Sequence, residues 1–202
     1  MGGMRIAALL AHADDELMCA GTLARFVAEG HDVRLVIGFN SDGDHDTRSC
    51  ELDASVEAIG CRLVARMLSD EDDFCWSRRW VQEFESYTGT PDLLISHRCE
   101  DDNTSHGHFG RIARTIARKN RMQLWEIDQT IPGGLTAHAQ PNLFVNVSDY
   151  YDQKLGAINA YRSQLDRYPG LAGALFERSR MYGWSIGVGH AEGFTVAKAV
   201  WL

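Results

Sequence analysis

The 202-residue chain is long enough for one domain with a sizeable core, and 45% hydrophobic residues exclude a disordered or low-complexity protein. Its net charge of −8, with no offsetting basic tract, argues against nucleic acid as a partner. No apolar run approaches the roughly 20 residues needed to cross a bilayer, so no transmembrane segment is expected.

The opening Met1-Gly2-Gly3-Met4-Arg5 leads directly into an apolar run and fits neither a signal peptide nor a myristoylation signal. The five cysteines (Cys19, Cys50, Cys61, Cys75, Cys99) are odd in number and contain no Cys-x-x-Cys pair. They read as reduced thiols in a cytoplasmic protein, each packed as a small hydrophobe.

In chain order, strands are predicted over 4–11, 33–39, 62–67, 92–97 and 122–127, with helices over 16–29, 48–59, 77–87 and 105–119. The strand runs are short and apolar throughout, as in strands covered on both faces. Gly30 and Gly60 follow two of the helices where C-cap glycines belong, and Thr90-Pro91-Asp92 introduces the fourth strand. Such alternation implies right-handed crossovers and an α/β, Rossmann-like fold: a mostly parallel central sheet with helices on both faces. The Gly-x-Gly-x-x-Gly fingerprint is missing after the first strand, so a nucleotide cofactor is not indicated. A serine hydrolase is equally unsupported, since no Gly-x-Ser-x-Gly elbow occurs.

Beyond Gln129 the texture changes. Ile131-Pro132-Gly133-Gly134 reads as a loop, Leu143 to Val147 as a strand, and 149–166 as a helix with Ser148 or Asp149 as its N-cap. After Tyr168-Pro169-Gly170 come a helix over 171–182 and a closing strand from Phe194 to Trp201. With no repeat and no linker, residues 1–202 read as one domain: a core over 1–128 and a C-terminal extension over 129–202 that walls the pocket. A homo-oligomer is compatible with this organisation.

Chemistry-bearing residues gather at two strand ends. Ala11-His12-Ala13-Asp14-Asp15-Glu16 lies where the first strand gives way to a helix, the edge at which open α/β sheets place ligands. A second cluster follows the fourth strand, with three His (His97, His106, His108) and three acids (Glu100, Asp101, Asp102) within twelve positions. The first and fourth strands can flank the topological switch point, so both clusters would face one crevice. Two His and one carboxylate around a divalent cation, with an open position for water, is a hydrolytic arrangement, and the second Asp is then left to act on that water.

Plainer readings accompany each residue. His12 alone fits a strand-end histidine bonded to a backbone carbonyl, and Asp14 and Asp15 fit a helix first turn, where carboxylates contribute about 0.3–1 kcal/mol. His97 and Asp101 fit a solvated loop equally well. Phe74, Trp76 and Trp80 fit sugar stacking, or core anchors of a helix at spacing 4. Tyr150, Tyr151 and Tyr161 likewise fit helix packing or an aromatic rim. Capping explains neither the histidine nor a second His-rich loop, and the conjunction favours a metal.

The run from Met4 to Gly43 resembles the LmbE-like family of metal-dependent de-N-acetylases, which includes N-acetylglucosaminyl-phosphatidylinositol deacetylases (PIG-L). The likeness rests on Ala11-His12-Ala13-Asp14-Asp15-Glu16, Gly30-His31-Asp32-Val33 and Asn40-Ser41-Asp42-Gly43. Arg48-x-x-Glu51-x-x-Ala54 ending at Ile59-Gly60 is similar to the family's second helix. Lys154 with Tyr161-Arg162-Ser163-Gln164 is similar to a later helix, and Ala191-Glu192-Gly193-Phe194 to the closing strand. Two departures stand out. Ala13 replaces the usual proline, which loosens the turn, and the family's His-x-Asp-His segment is not intact. One register makes His106 the metal ligand, with Asn103 in place of the first His and Ser105 as N-cap; sliding by two makes His108 the ligand, with Ser105 in place of that His.

The resemblance implies hydrolysis of the N-acyl group, most often acetyl, of a small-molecule glycoside or N-acyl amino sugar. Zn2+ would be held by His12, Asp15 and His106 (or His108), and Fe2+ suits the same donors. Asp14 is implied as general base, His108 or His190 as donor to the oxyanion, and Arg48, Asp42 and Glu192 as substrate contacts. Glu192 also fits a structural carboxylate paired with an arginine. The damaged segment keeps a second class open: a catalytically impaired member that binds metal and sugar.

Overall fold

Arg5–His12 forms strand β1, and its side chains alternate between two cores. Ile6, Ala8 and Leu10 pack on one face with Val33, Leu35 and Ile37, while Ala7, Leu9 and Ala11 pack on the other with Val36 and Phe39. Side chains two apart share a face of a pleated strand, so an unbroken apolar run is stable only where both faces are covered. The structure, a computed structural model, describes residues 2–39, 45–68, 74–119, 121–129 and 140–200.

The chain continues through α1 (Ala20–Ala28), β2 (Asp32–Phe39), α2 (His45–Ile59), β3 (Arg62–Leu68), α3 (Arg78–Thr88), β4 (Leu93–Ser96), α4 (Thr104–Lys119) and β5 (Gln123–Ile127). Then come β6 (Leu143–Asn146), α5 (Tyr151–Ala160), α6 (Arg162–Arg167), α7 (Leu171–Ser185) and β7 (Ala191–Lys198). The seven strands make one sheet in the order β3-β2-β1-β4-β5-β7-β6. β1 to β5 pair in parallel, and β7 runs antiparallel to both β5 and β6. The Rossmann-like reading holds, and β1 and β4 are neighbours at the point where strand order reverses. Among the described residues, no helix is long and apolar enough to cross a membrane.

Three elements differ from expectation. The helix predicted over 16–29 is a 3-10 turn, Asp15–Met18, followed by α1, because Cys19 at φ −128° leaves the helical region between them. The helix predicted over 149–166 breaks at Tyr161, at φ −85° and ψ 64°, into α5 and α6. Neither Ser148 nor Asp149 caps it: both the backbone N–H and the hydroxyl of Ser148 donate to Asn146 Oδ1, and a 3-10 turn over Ser148–Tyr150 leads into α5. The closing strand begins three residues earlier than expected. Gly30 and Gly60 do end helices at positive φ, 84° and 81°. All five cysteines are free, but Cys50 and Cys75 are exposed rather than packed.

Gly110 sets how closely α4 approaches the loop leaving β4. A Cβ there would lie 2.4 Å from the carbonyl carbon of Arg98 and 2.5 Å from the Cys99 nitrogen, both backbone atoms that cannot swing aside. Gly110→Ala is expected to destabilise the protein by about 1–2 kcal/mol, overpacking of about 1–3 kcal/mol outweighing a helix-propensity gain of up to about 1. Chemical denaturation measures this, and an unchanged or raised midpoint would refute it.

Candidate active site

β1 delivers His12 to the C-terminal edge of the sheet and the chain then turns sharply. Asp14 occupies the left-handed region at φ 108°, a conformation that costs a non-glycine residue about 1–3 kcal/mol and persists only when its surroundings enforce it. The enforcement is visible. The Asp14 N–H donates to Glu16 Oε2 at 3.0 Å. Glu16, fully buried, is itself fixed by the Ser55 hydroxyl at 2.7 Å and the Tyr161 hydroxyl at 2.6 Å. Arg48 Nη2 bonds both the Ala13 carbonyl and Asp14 Oδ2, the latter at 3.1 Å. Ala13 uses the N–H that a proline lacks, donating to the Phe39 carbonyl at 3.2 Å. The departure from proline thus adds a tether to the neighbouring strand where a looser turn was expected.

Asp15 sits at the centre. Its Oδ2 accepts the His12 N–H at 2.7 Å and lies 3.4 Å from His12 Nδ1. Its Oδ1 lies 3.3 Å from His106 Nε2, and the His12 and His106 ring nitrogens are 3.1 Å apart. One donor atom from each of His12, Asp15 and His106 falls within 4.8 Å of the others. His106 arrives in the first turn of α4, whose N-terminus is capped by Asn103: Oδ1 accepts from the Ser105 and His106 N–H groups at 2.9 and 3.2 Å. Ser105 is therefore not the cap. On its far side His106 Nδ1 lies 3.3 Å from Asp101 Oδ1, an arrangement that orients a ligating imidazole.

These groups set one another's charge. Burial and the adjacent Asp15 carboxylate push the Asp14 carboxyl up to about 7, with Arg48 opposing. Burial opposes ionisation of Asp15 too, yet the charge on His106 and the hydrogen bonds from His106 and His12 outweigh it and hold its carboxyl well below the usual range. Burial likewise works against charge on His106, but Asp15 and Asp101 raise its pKa to about 10.

No protein-family model matches the chain. Among solved structures it is similar to a conserved protein of Thermus thermophilus, at TM-score 0.81 and 22% identity, covering 98% of this chain and 97% of that one. It is also similar to the N,N'-diacetylchitobiose deacetylase of Pyrococcus horikoshii, at TM-score 0.75 and 19% identity, covering 96% and 84%. The chain has the LmbE-like deacetylase fold. A third similar structure, the 4-carboxy-2-hydroxymuconate hydratase of Pseudomonas putida, has TM-score 0.76 and 16% identity over 98% of both chains. The LmbE-like fold therefore accommodates more than one reaction.

Several expected site residues have other employment within this LmbE-like fold. Arg48 is buried, bound to Asp14 and Ala13, 3.8 Å from Glu51 Oε2, and stacked 5.1 Å from the Tyr161 ring. It holds Asp14 in place through Nη2. Glu192 is 2% exposed, and both its oxygens accept backbone N–H groups at the start of α1: Oε1 from Gly21 at 3.0 Å and Oε2 from Thr22 at 2.7 Å. Lys154 Nζ adds a bond to Oε1 at 2.5 Å. Glu192 is thus a buried carboxylate that ties β7 to the start of α1, and its charged partner is a lysine, not an arginine. Asp42, with the rest of the Asn40–Gly43 turn and the Ile131–Gly134 loop, lies outside the described residues.

The remaining histidines divide clearly. His108 stands apart from the His12–Asp15–His106 group; its Nδ1 accepts the Trp76 N–H at 3.2 Å, so its proton resides on Nε2. His190 Nδ1 lies 3.0 Å from Ser179 Oγ, whose own hydroxyl donates to the Phe176 carbonyl. Its ring stacks 3.8 Å from Tyr151 and packs 5.5 Å from Phe176. His97 is fully buried and stacked flat on His106 at 4.2 Å, so the solvated-loop reading of His97 fails. Phe74 and Trp80 pack with Phe84 as core, although Phe74 precedes the helix; Trp76 is exposed.

Proposed function

We propose that the chain is a metal-dependent hydrolase that removes an N-acyl group, most often acetyl, from an amino sugar or a small-molecule glycoside in the cytoplasm. The observation that carries this reading is the convergence of His12, Asp15 and His106, drawn from segments 94 positions apart, into one cluster of donors. Two imidazole nitrogens and one carboxylate oxygen suit Zn2+, and equally Fe2+. A divalent cation bound there supplies Lewis acidity for the amide carbonyl and makes water acidic enough to lose a proton near neutral pH.

The chain's own residues supply the proton transfers. Asp14, fixed by Arg48 and with its carboxyl raised to about 7, accepts the proton of the attacking water and returns it to the departing amine.

The likeness to a hydratase favours a second reading, in which the same base and cation add water to a carbon–carbon double bond. Metal analysis of the purified protein followed by a fluorescamine screen of N-acetylglucosamine conjugates separates them. The expected result is one cation per chain and amine release that a chelator abolishes. Bound metal without amine release from any N-acyl amino sugar would sink the hydrolase reading in favour of hydration or of binding alone.

A further inference from the structure

Next to the donor cluster runs a chain of hydrogen bonds whose proton positions are fixed from both ends. His97 follows the last residue of β4, and its Nε2 accepts the Ala11 backbone N–H at 2.8 Å, so that nitrogen carries no hydrogen. Asp15 Oδ2 also lies 3.2 Å from Nε2, but one ring nitrogen cannot both accept from Ala11 and donate to a carboxylate, and the shorter contact decides. The ring proton of the neutral imidazole must then be on Nδ1, which lies 2.5 Å from Gln129 Oε1. From the other end, the Asp15 carboxylate can only accept. The group facing Asp15 Oδ1 at 2.6 Å is therefore the amide NH2 of Gln129, and its carbonyl faces His97. The two assignments agree, and each hydrogen bond of the relay has one donor and one acceptor. His97 also lies parallel to the His106 ring, 4.2 Å away with 9° between planes.

We propose that His97 and Gln129 are positioning residues: a relay from the β1 backbone through His97 and Gln129 that fixes the Asp15 carboxylate, while the stacked ring braces His106, so that both meet a cation already oriented. Groups that hold a ligand's remaining hydrogen-bonding atoms restrict its rotation and raise metal affinity, typically by about 10–100-fold. Without the relay, Asp15 Oδ1 loses its 2.6 Å bond from Gln129 and faces only the His106 imidazole, itself a ligand, while Oδ2 keeps the His12 N–H. This inference rests on reading Asp15 and His106 as metal ligands.

The test is Zn2+ affinity of the metal-free protein, measured by competition with a chelator. Gln129 is only half-buried, so Gln129→Leu keeps its volume and removes both bonds without opening the core. The relay requires that affinity fall about 10–100-fold in this variant. Two substitutions of His97 separate positioning from mere packing. His97→Asn retains a donor at the Nδ1 position and with it the bond to Gln129, whereas His97→Gln retains the acceptor for Ala11 and loses that bond. Both delete the same ring, so a purely structural role predicts equal affinity, and the relay predicts tighter binding by His97→Asn. Wild-type-like affinity in Gln129→Leu, or equal affinity in the two His97 variants, overturns the relay. Failure of the wild-type protein to take up one Zn2+ overturns the metal reading itself, an outcome distinct from either.

Discussion

The Asp14→Asn protein is expected to keep its fold and its metal while losing about 10²–10⁴-fold in amide hydrolysis, the range attributable to a positioned general base. Asparagine matches aspartate in shape and still offers an oxygen to Arg48, so the left-handed turn, the Glu16 tether and the neighbouring Asp15 are preserved. What it lacks is a lone pair basic enough to take a proton. The measurement is the turnover number for amine release together with metal content by elemental analysis. An Asp14→Asn enzyme within a few-fold of wild type would remove Asp14 from the base role. Loss of metal in the same variant would show instead that Asp14 helps hold the cation.

His106→Ala and His108→Ala are expected to differ sharply in bound zinc, although only one residue separates them. Sharing the roughly 10–16 kcal/mol of a structural zinc site among four positions gives about 3 kcal/mol per ligand, or about a hundredfold in affinity. His106→Ala should therefore emerge from purification largely without metal. His108→Ala should retain it, since His108 bonds the Trp76 N–H on the other side of α4. Equal metal retention in both variants would refute either histidine as ligand, and loss confined to His108→Ala would reverse the assignment.

Much of the scaffold was written in local pattern. Ile6 to Leu10 is apolar at every position, which only a strand covered on both faces tolerates, and the alternation of such runs with amphipathic stretches fixed a parallel sheet in which β1 and β4 meet. The break at Tyr161 left no such mark. No proline or glycine stands there; the chain departs from the helix where Tyr161 packs inward, with its hydroxyl on Glu16. Gln129 likewise carried no signal, since its value depends on His97 and Asp15, which approach it from two other strand ends.

What the amino-acid order determined by itself is the set of reactive groups and the sheet edge they occupy: His12, Asp14 and Asp15 at one strand end, and a histidine-rich segment at its neighbour. Tertiary structure alone decided which of those groups meet. Residues two apart on a helix point about 200° away from each other, so His106 and His108 serve opposite sides of α4, and only the packing of that helix against β1 selects the side that meets Asp15. The same holds for Arg48 and Glu192. A charged side chain is equally suited to a ligand or to a buried partner until the fold closes over it, and here the partners are Asp14 for one and Lys154 with the start of α1 for the other.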